Sequence, residues 1–118
     1  MILLNKNLLQ HTVLAKSVLK AAYRLGLNEE GLKKVLKFND ASPIVKLDPT
    51  SEFGQQGLLL IQLFQSLSSL TNGEEAAIKI FMNSKNHLTK GIPIQQIEDR
   101  VGLINVVECV ESLSQQEF

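Results

Sequence analysis

Catalysis needs a nucleophile, a titrating base, a metal cluster or a phosphate cradle, and few residues of this chain could supply one. Its 118 residues include a single cysteine, Cys109, and two histidines, His11 and His87. Cys109 stands among valines near the end of the chain, where a small buried hydrophobe is expected rather than a nucleophile. Neither histidine has a partner at HxxH or ExxH spacing, so surface or capping roles are expected and zinc ligation is not. Acidic pairs occur at Glu29/Glu30, Glu74/Glu75 and Glu98/Asp99. The first two open predicted helices, where the dipole favours negative charge without any catalytic purpose. No GxGxxG or GxxxxGK[ST] pattern is present. The residues therefore point away from an enzyme and imply neither a metal nor a cofactor.

The elements that would carry a binding surface read at helical period throughout. In residues 12–25, Leu14, Val18, Ala21, Ala22 and Leu25 share one face, while Lys16, Lys20 and Arg24 share another. Gly26 stops this helix, and Asn28 caps a second that turns Leu32, Val35 and Leu36 inward. A third, short helix is expected over residues 42–47, with Ser42 as cap and Pro43 as its first residue. A long fourth helix is expected over residues 52–70, with Leu60, Leu63, Leu67 and Leu70 in one stripe widened by Leu59 and Phe64. So broad an apolar face needs several neighbours. Asn72-Gly73 breaks the chain before a fifth helix carrying Ala77, Ile78, Phe81 and Met82. A polar loop over residues 83–92 leads to a short helix opened by Pro93. A last helix, from Val101 or Leu103, carries Val106, Val107, Val110 and Leu113. An all-α fold of about seven helices follows.

Composition adds two constraints. The apolar run at residues 58–64 is interrupted by Gln62 and is too short to span a bilayer. With one cysteine and no cleavage pattern after the apolar start, a reducing, cytoplasmic location is expected. The zero net charge hides an asymmetry: residues 1–50 carry eight Lys/Arg against four Asp/Glu (+4), and residues 51–118 carry four against eight (−4). Two surfaces with different partners, or scattered surface charge, would each produce this. Residues 27–47 have the proportions of a helix-turn-helix in which the helix from Ser42 would enter a major groove. Lys33, Lys34, Lys37 and Lys46 could meet phosphates, and Ser42 a phosphate or base edge. That helix has no Arg, Asn or Gln to read bases bidentately, and Asp40 and Asp48 flank it. A merely structural turn fits the same pattern.

Two stretches, in this order, resemble the Xre/MbcA/ParS family of bacterial antitoxins. In the back half they are Asn72-Gly73-Glu74-Glu75-Ala76-Ala77 leading to Phe81, then Asn86-His87-Leu88 with Pro93, then Val101-Gly102-Leu103. In the front half, residues 18–28 with Leu32, Val35 and Leu36 are similar to the family's helix-turn-helix segment. The likeness spans about residues 12–113. Phe81 stands where the family usually has Trp, and Thr89-Lys90 where it commonly has a glycine, Gly91 falling one place later.

The resemblance implies a helix-turn-helix-like unit (residues 1–50) joined through the long central helix to a toxin-binding unit (residues 51–118). It implies a type II antitoxin that neutralises a cognate toxin, typically a RES-domain enzyme that destroys NAD, and that represses its own operon by binding operator DNA. A homodimer or a toxin–antitoxin hetero-oligomer is implied with it. By position, Lys90, Gly91, Pro93, Gly102 and the tail Ser114, Gln115, Gln116, Glu117 and Phe118 become toxin-facing candidates. The tail matches no motif. An anionic, aromatic-tipped peptide would suit a cleft for an anionic dinucleotide, whereas a frayed end would serve no such purpose. A DNA-binding regulator and a solitary adaptor for a non-toxin protein are the alternative readings.

Overall fold

The computed structural model describes residues 2–115, with side chains from residue 9 onward. Among these residues it has six helices and no strand: α1 (Ile2–Leu25), α2 (Glu29–Leu36), α3 (Glu52–Thr71), α4 (Glu75–Asn83), α5 (Pro93–Gln96) and α6 (Arg100–Ser114). The all-helical expectation holds. The helix boundaries follow local chemistry. Gly26 leaves α1 at a φ of 98°. Asn28 caps α2 by accepting the Gly31 N–H at 2.8 Å, with Glu29 and Glu30 in the first turn. Ser51 accepts the Gly54 N–H at 3.0 Å to open α3, and Asn72 (φ 54°) with Gly73 (φ 75°) closes it. Asp99 accepts the Gly102 N–H at 3.2 Å and caps α6, which gives the third acidic pair a structural purpose.

The core is built around α3. Leu60, Leu63 and Leu67 are fully buried, as are Val18, Ala22 and Leu25 of α1 and Leu103, Val106 and Val110 of α6. One hydrophobic cluster runs through all of them. Helices α1 and α3 lie side by side and run in the same direction. Gly57 sits so close to Val18 that a Cβ there would fall 2.7 Å from Val18 Cγ2. Further along, the Arg24 guanidinium lies 5.2 Å over the Phe64 ring and donates to the Gly73 carbonyl at 3.4 Å. Two parallel neighbours need a return connection as long as the helices themselves. Helix α2 and the segment after it provide that return.

That segment corrects one expectation. Residues 42–47 are not helical, so the structure has six helices where about seven were expected, and no helix begins at Ser42. Three of its backbone N–H groups donate to partners outside the segment. Ser42 N–H donates to Asp40 Oδ1 at 2.9 Å, Ile44 N–H to Glu29 Oε2 at 3.1 Å, and Leu47 N–H to the His11 carbonyl at 3.0 Å. Pro43 and Pro49 bias the residues before them away from helix, and Ile44-Val45 adds β-branching. A six-residue helix between prolines would bear the nucleation cost with few hydrogen bonds in return. The segment instead acts as a strap. Ile44 and Leu47 are buried, Val45 and Lys46 exposed, so the spacing that suggested a helix face marks two anchor points.

The strap ends in a turn built on Asp48. Its carboxylate accepts the Thr50 N–H at 2.8 Å and the Thr50 hydroxyl at 2.7 Å, and His11 Nε2 lies 3.9 Å away. The Thr50 N–H chiefly, then its hydroxyl, hold the Asp48 carboxyl below its ordinary value of 3.8. A depressed folded-state pKa contributes stability that is present above the ordinary value and lost as pH falls through the lower folded value. Asp48→Asn should therefore flatten the acid limb of a stability-versus-pH curve below about pH 4, as measured by urea midpoints. At Gly54 a Cβ would collide with the Asp48 carbonyl oxygen. Gly54→Ala should destabilise the protein by about 2–4 kcal/mol in denaturant unfolding, well beyond a typical surface change.

Candidate functional site

The chain between α4 and α5 is a short loop closed by hydrogen bonds of its own. Asn86 is its hub. The Asn86 backbone exchanges hydrogen bonds with Gly91, N–H to carbonyl at 2.8 Å and carbonyl from N–H at 3.2 Å, and also accepts from Lys90 N–H at 2.8 Å. The Asn86 side-chain oxygen accepts the N–H groups of Leu88 (2.8 Å) and Thr89 (3.3 Å). This closure turns Thr89 inward, where it is 1 % exposed.

Two helices hold the loop from below. Gln96 Nε2 donates to the Thr89 carbonyl at 2.6 Å, and Asn105 Nδ2 donates to the same oxygen at 3.2 Å. The Cys109 thiol donates to the Leu88 carbonyl at 3.6 Å. Cys109 is thus half-buried and partnered at the loop, not a core hydrophobe as its valine neighbours implied. Gly91 and Gly102 both fit around Gln96. A Cβ at Gly91 would fall 2.9 Å from Gln96 Cδ, and one at Gly102 would collide with the Gln96 carbonyl oxygen. Pro93 is buried at the first position of α5.

Of the toxin-facing candidates, Gly91, Pro93 and Gly102 are therefore spent on packing. Lys90 is exposed, and its φ of 66° is a left-handed conformation imposed by the closed loop. Ser114 is half-buried, its hydroxyl donating to the Glu111 carbonyl at 3.0 Å, and Gln115 is exposed at the end of α6. Gln116, Glu117 and Phe118 lie outside the described residues.

Of the side chains the loop displays, Lys90 was a toxin-facing candidate, whereas Leu88 and His87 stood in the family-like stretch without being assigned a role. Leu88 is 49 % exposed at the tip, with His87 and Lys90 exposed on either side. Beside it opens a cleft of about 310 Å³ lined by Leu88, Asn105, Glu108, Cys109, Ser112 and Leu113. Asn105, Glu108 and Ser112 recur at the spacing of one helix face, a signal available in the sequence but indistinguishable there from an ordinary solvated face. The cleft can accept an apolar side chain, with Glu108 offering a carboxylate to a cation. Among the described residues no group of three His, Cys, Asp or Glu is placed to hold a metal ion.

The front-half candidates are dispersed. Lys33 Nζ donates to the Ser42 carbonyl at 2.8 Å and lies 5.8 Å over the Phe38 ring, so it ties α2 to the strap. Lys37 terminates α2 at a φ of 62°, and Lys34 is exposed. Lys46 is exposed on the strap. With no helix between residues 42 and 47, the recognition helix expected from Ser42 is absent. No protein-family model matches the chain, and no curated protein matches it.

The loop's dependence on side-chain hydrogen bonds is testable. Asn86→Ala removes the acceptor for two N–H groups, one of them on a buried residue, and should cost about 1–3 kcal/mol. Amide exchange of Leu88 and Thr89 should accelerate while that of Leu63 and Leu67 in α3 changes little. Uniform acceleration would mean the loop and core open together.

Proposed function

We propose that this protein is the antitoxin of a type II toxin–antitoxin pair, and that it binds its cognate toxin through the loop over residues 86–91 and the adjoining face of α6. One observation carries the reading. A loop held by Asn86, Gln96, Asn105 and Cys109 presents Leu88 and Lys90 beside a cleft bordered by Glu108. Rigid display of an apolar side chain beside opposite charges suits a protein partner, because little ordering entropy is left to lose on binding. Exposed Ile80 (66 %) and Val101 (74 %), on α4 and α6, extend the apolar content of this back half.

The antitoxin identity comes from the resemblance, in which the same loop is the toxin-facing element, and the expected partner is an NAD-degrading RES-domain toxin. The resemblance also implies operator binding. The strap at residues 42–47 offers no helix to a major groove, so operon repression is not included in this reading.

The decisive test is co-expression with the product of the neighbouring gene. Wild-type protein should restore growth and co-purify with that product. Leu88→Asp and Lys90→Glu should each weaken binding about tenfold or more by calorimetry. Their thermal unfolding should stay near wild type, because both side chains are exposed. Absence of binding and rescue by the wild-type chain would overturn the proposal.

A further inference from the structure

Helix α1 is built without an anion. Residues 1–28 hold Lys6, Lys16, Lys20 and Arg24 but no Asp or Glu, although the whole chain carries 12 charges of each sign. Leu9, Val13, Lys16, Lys20 and Tyr23 follow one another at spacings of four, three, four and three residues, which is one face of a helix. All five are exposed, Leu9 by 64 %, Val13 by 53 % and Tyr23 by 71 %. Among the described residues neither lysine has an ion-pair partner. The carboxylates packed against α1 lie off this face or are engaged. Asp48 approaches His11 to 3.9 Å on the opposite side of the helix. Glu29, which shares a cleft with Tyr23, accepts the Ile44 N–H at 3.1 Å. Toward α3 the face adjoins an open groove of about 400 Å³ walled by Leu9, Val13, Leu14 and Ile61, with Gln10 and Ser17. The face also outruns the helix it packs on. Gly57 of α3 rests against Val18, so the start of α3 at Glu52 is level with Val13 and α1 continues about 16 Å beyond it.

We propose that this face of α1 is a docking surface for an anionic lipid bilayer, with the helix lying along the membrane plane. Charge complementarity fixes the sign of the partner, because a helix with cations and no anion is matched by a negative surface. The apolar side chains fix its kind. A nucleic-acid backbone would occupy Lys16 and Lys20 but leave Leu9 and Val13 in water, since phosphates offer nothing apolar. A bilayer accommodates both. Leu9 and Val13 enter the boundary between headgroups and acyl chains, and Tyr23 sets its ring there with the hydroxyl outward. The lysines lay their stems beside them and keep their ammonium groups among the phosphates. No described helix is long and apolar enough to cross a membrane, so α1 lies on the surface. Two lysines and three part-exposed apolar side chains give weak, reversible attachment, no stronger than a single acyl chain, with half-binding near about 0.1–1 mM accessible lipid. The face shares no residue with the loop over residues 86–91 or its cleft, so the two readings stand or fall separately.

The test is co-sedimentation of the full chain with phosphatidylcholine vesicles carrying about 40 % phosphatidylglycerol, beside pure phosphatidylcholine, at about 0.1 and about 0.5 M salt. The chain should bind the anionic vesicles, release at the higher salt and ignore the neutral ones. A lysine near an anionic surface is worth about fivefold in affinity, so Lys16→Gln combined with Lys20→Gln should weaken binding roughly 25-fold. The thermal melt of that variant should match wild type, because both side chains are exposed. The chain has no Trp, so Val13→Trp supplies a single probe. Its emission should shift to shorter wavelength on binding and be quenched by brominated lipid. Absence of binding to anionic vesicles at about 5 mM lipid overturns the proposal. So does equal binding to neutral vesicles, or indifference to the double lysine substitution. Binding without an emission shift overturns it too, since charge alone would then hold the chain. A DNA duplex that binds through the same lysines while vesicles do not would put a nucleic acid in the bilayer's place.

Discussion

The burial of α3 between α1 and α6 is the constraint on which everything else in this protein depends. Its leucines at 60, 63 and 67 have no exposure at all or almost none, and each needs neighbours on more than one side. Close approach is secured by absent side chains. Gly57 lets Val18 of α1 rest against the α3 backbone, and Gly54 lets the turn at Asp48 fold onto the start of the helix. Because α1 and α3 run parallel, the intervening chain must travel back from the end of α1 to the level of His11 before α3 can begin. This is why residues 42–47 are stretched into a strap anchored by Ile44 and Leu47.

The same economy shapes the loop of the candidate site. Its conformation is imposed by side-chain amides, with Asn86 closing it and Gln96 and Asn105 gripping the Thr89 carbonyl. Gly91 and Gly102 are small because Gln96 occupies the space on both sides of it. Asn86, Gly91, Pro93 and Gly102 are thus the framework of the loop, and Leu88 and Lys90 are the side chains it leaves exposed.

Much of this was legible from residue order. Helix ends followed from Gly26, Asn28, Asn72-Gly73 and Pro93, and the inward faces of α1, α3 and α6 followed from the spacing of their leucines and valines. Residues 42–47 were misleading because Ser-Pro is a good helix start, and Ile44 and Leu47 sit three apart as on a helix face. Cys109 misled for a related reason. Its valine neighbours point inward, but position 109 falls toward the side of α6 that meets the loop, where its thiol finds the Leu88 carbonyl.

The sequence by itself determined the class of structure, the ends of most helices (though not the start of α1, read at residue 12 and found at Ile2) and the core faces, because these depend on interactions within a few residues: capping, backbone preference and hydrophobic period. Tertiary structure alone decided whether residues 42–47 coil or stretch, since the competing hydrogen bonds come from Glu29 and His11, far away in the chain. It also decided which residues of the candidate loop reach solvent. Lys90 and Gly91 are adjacent, yet one faces outward and the other is pressed against Gln96, and only the fold around them makes the difference. The opening inventory of reactive residues gains its meaning there as well. The lone thiol of Cys109 is a hydrogen-bond donor that helps to hold the loop, and the Glu98/Asp99 pair is the cap of α6.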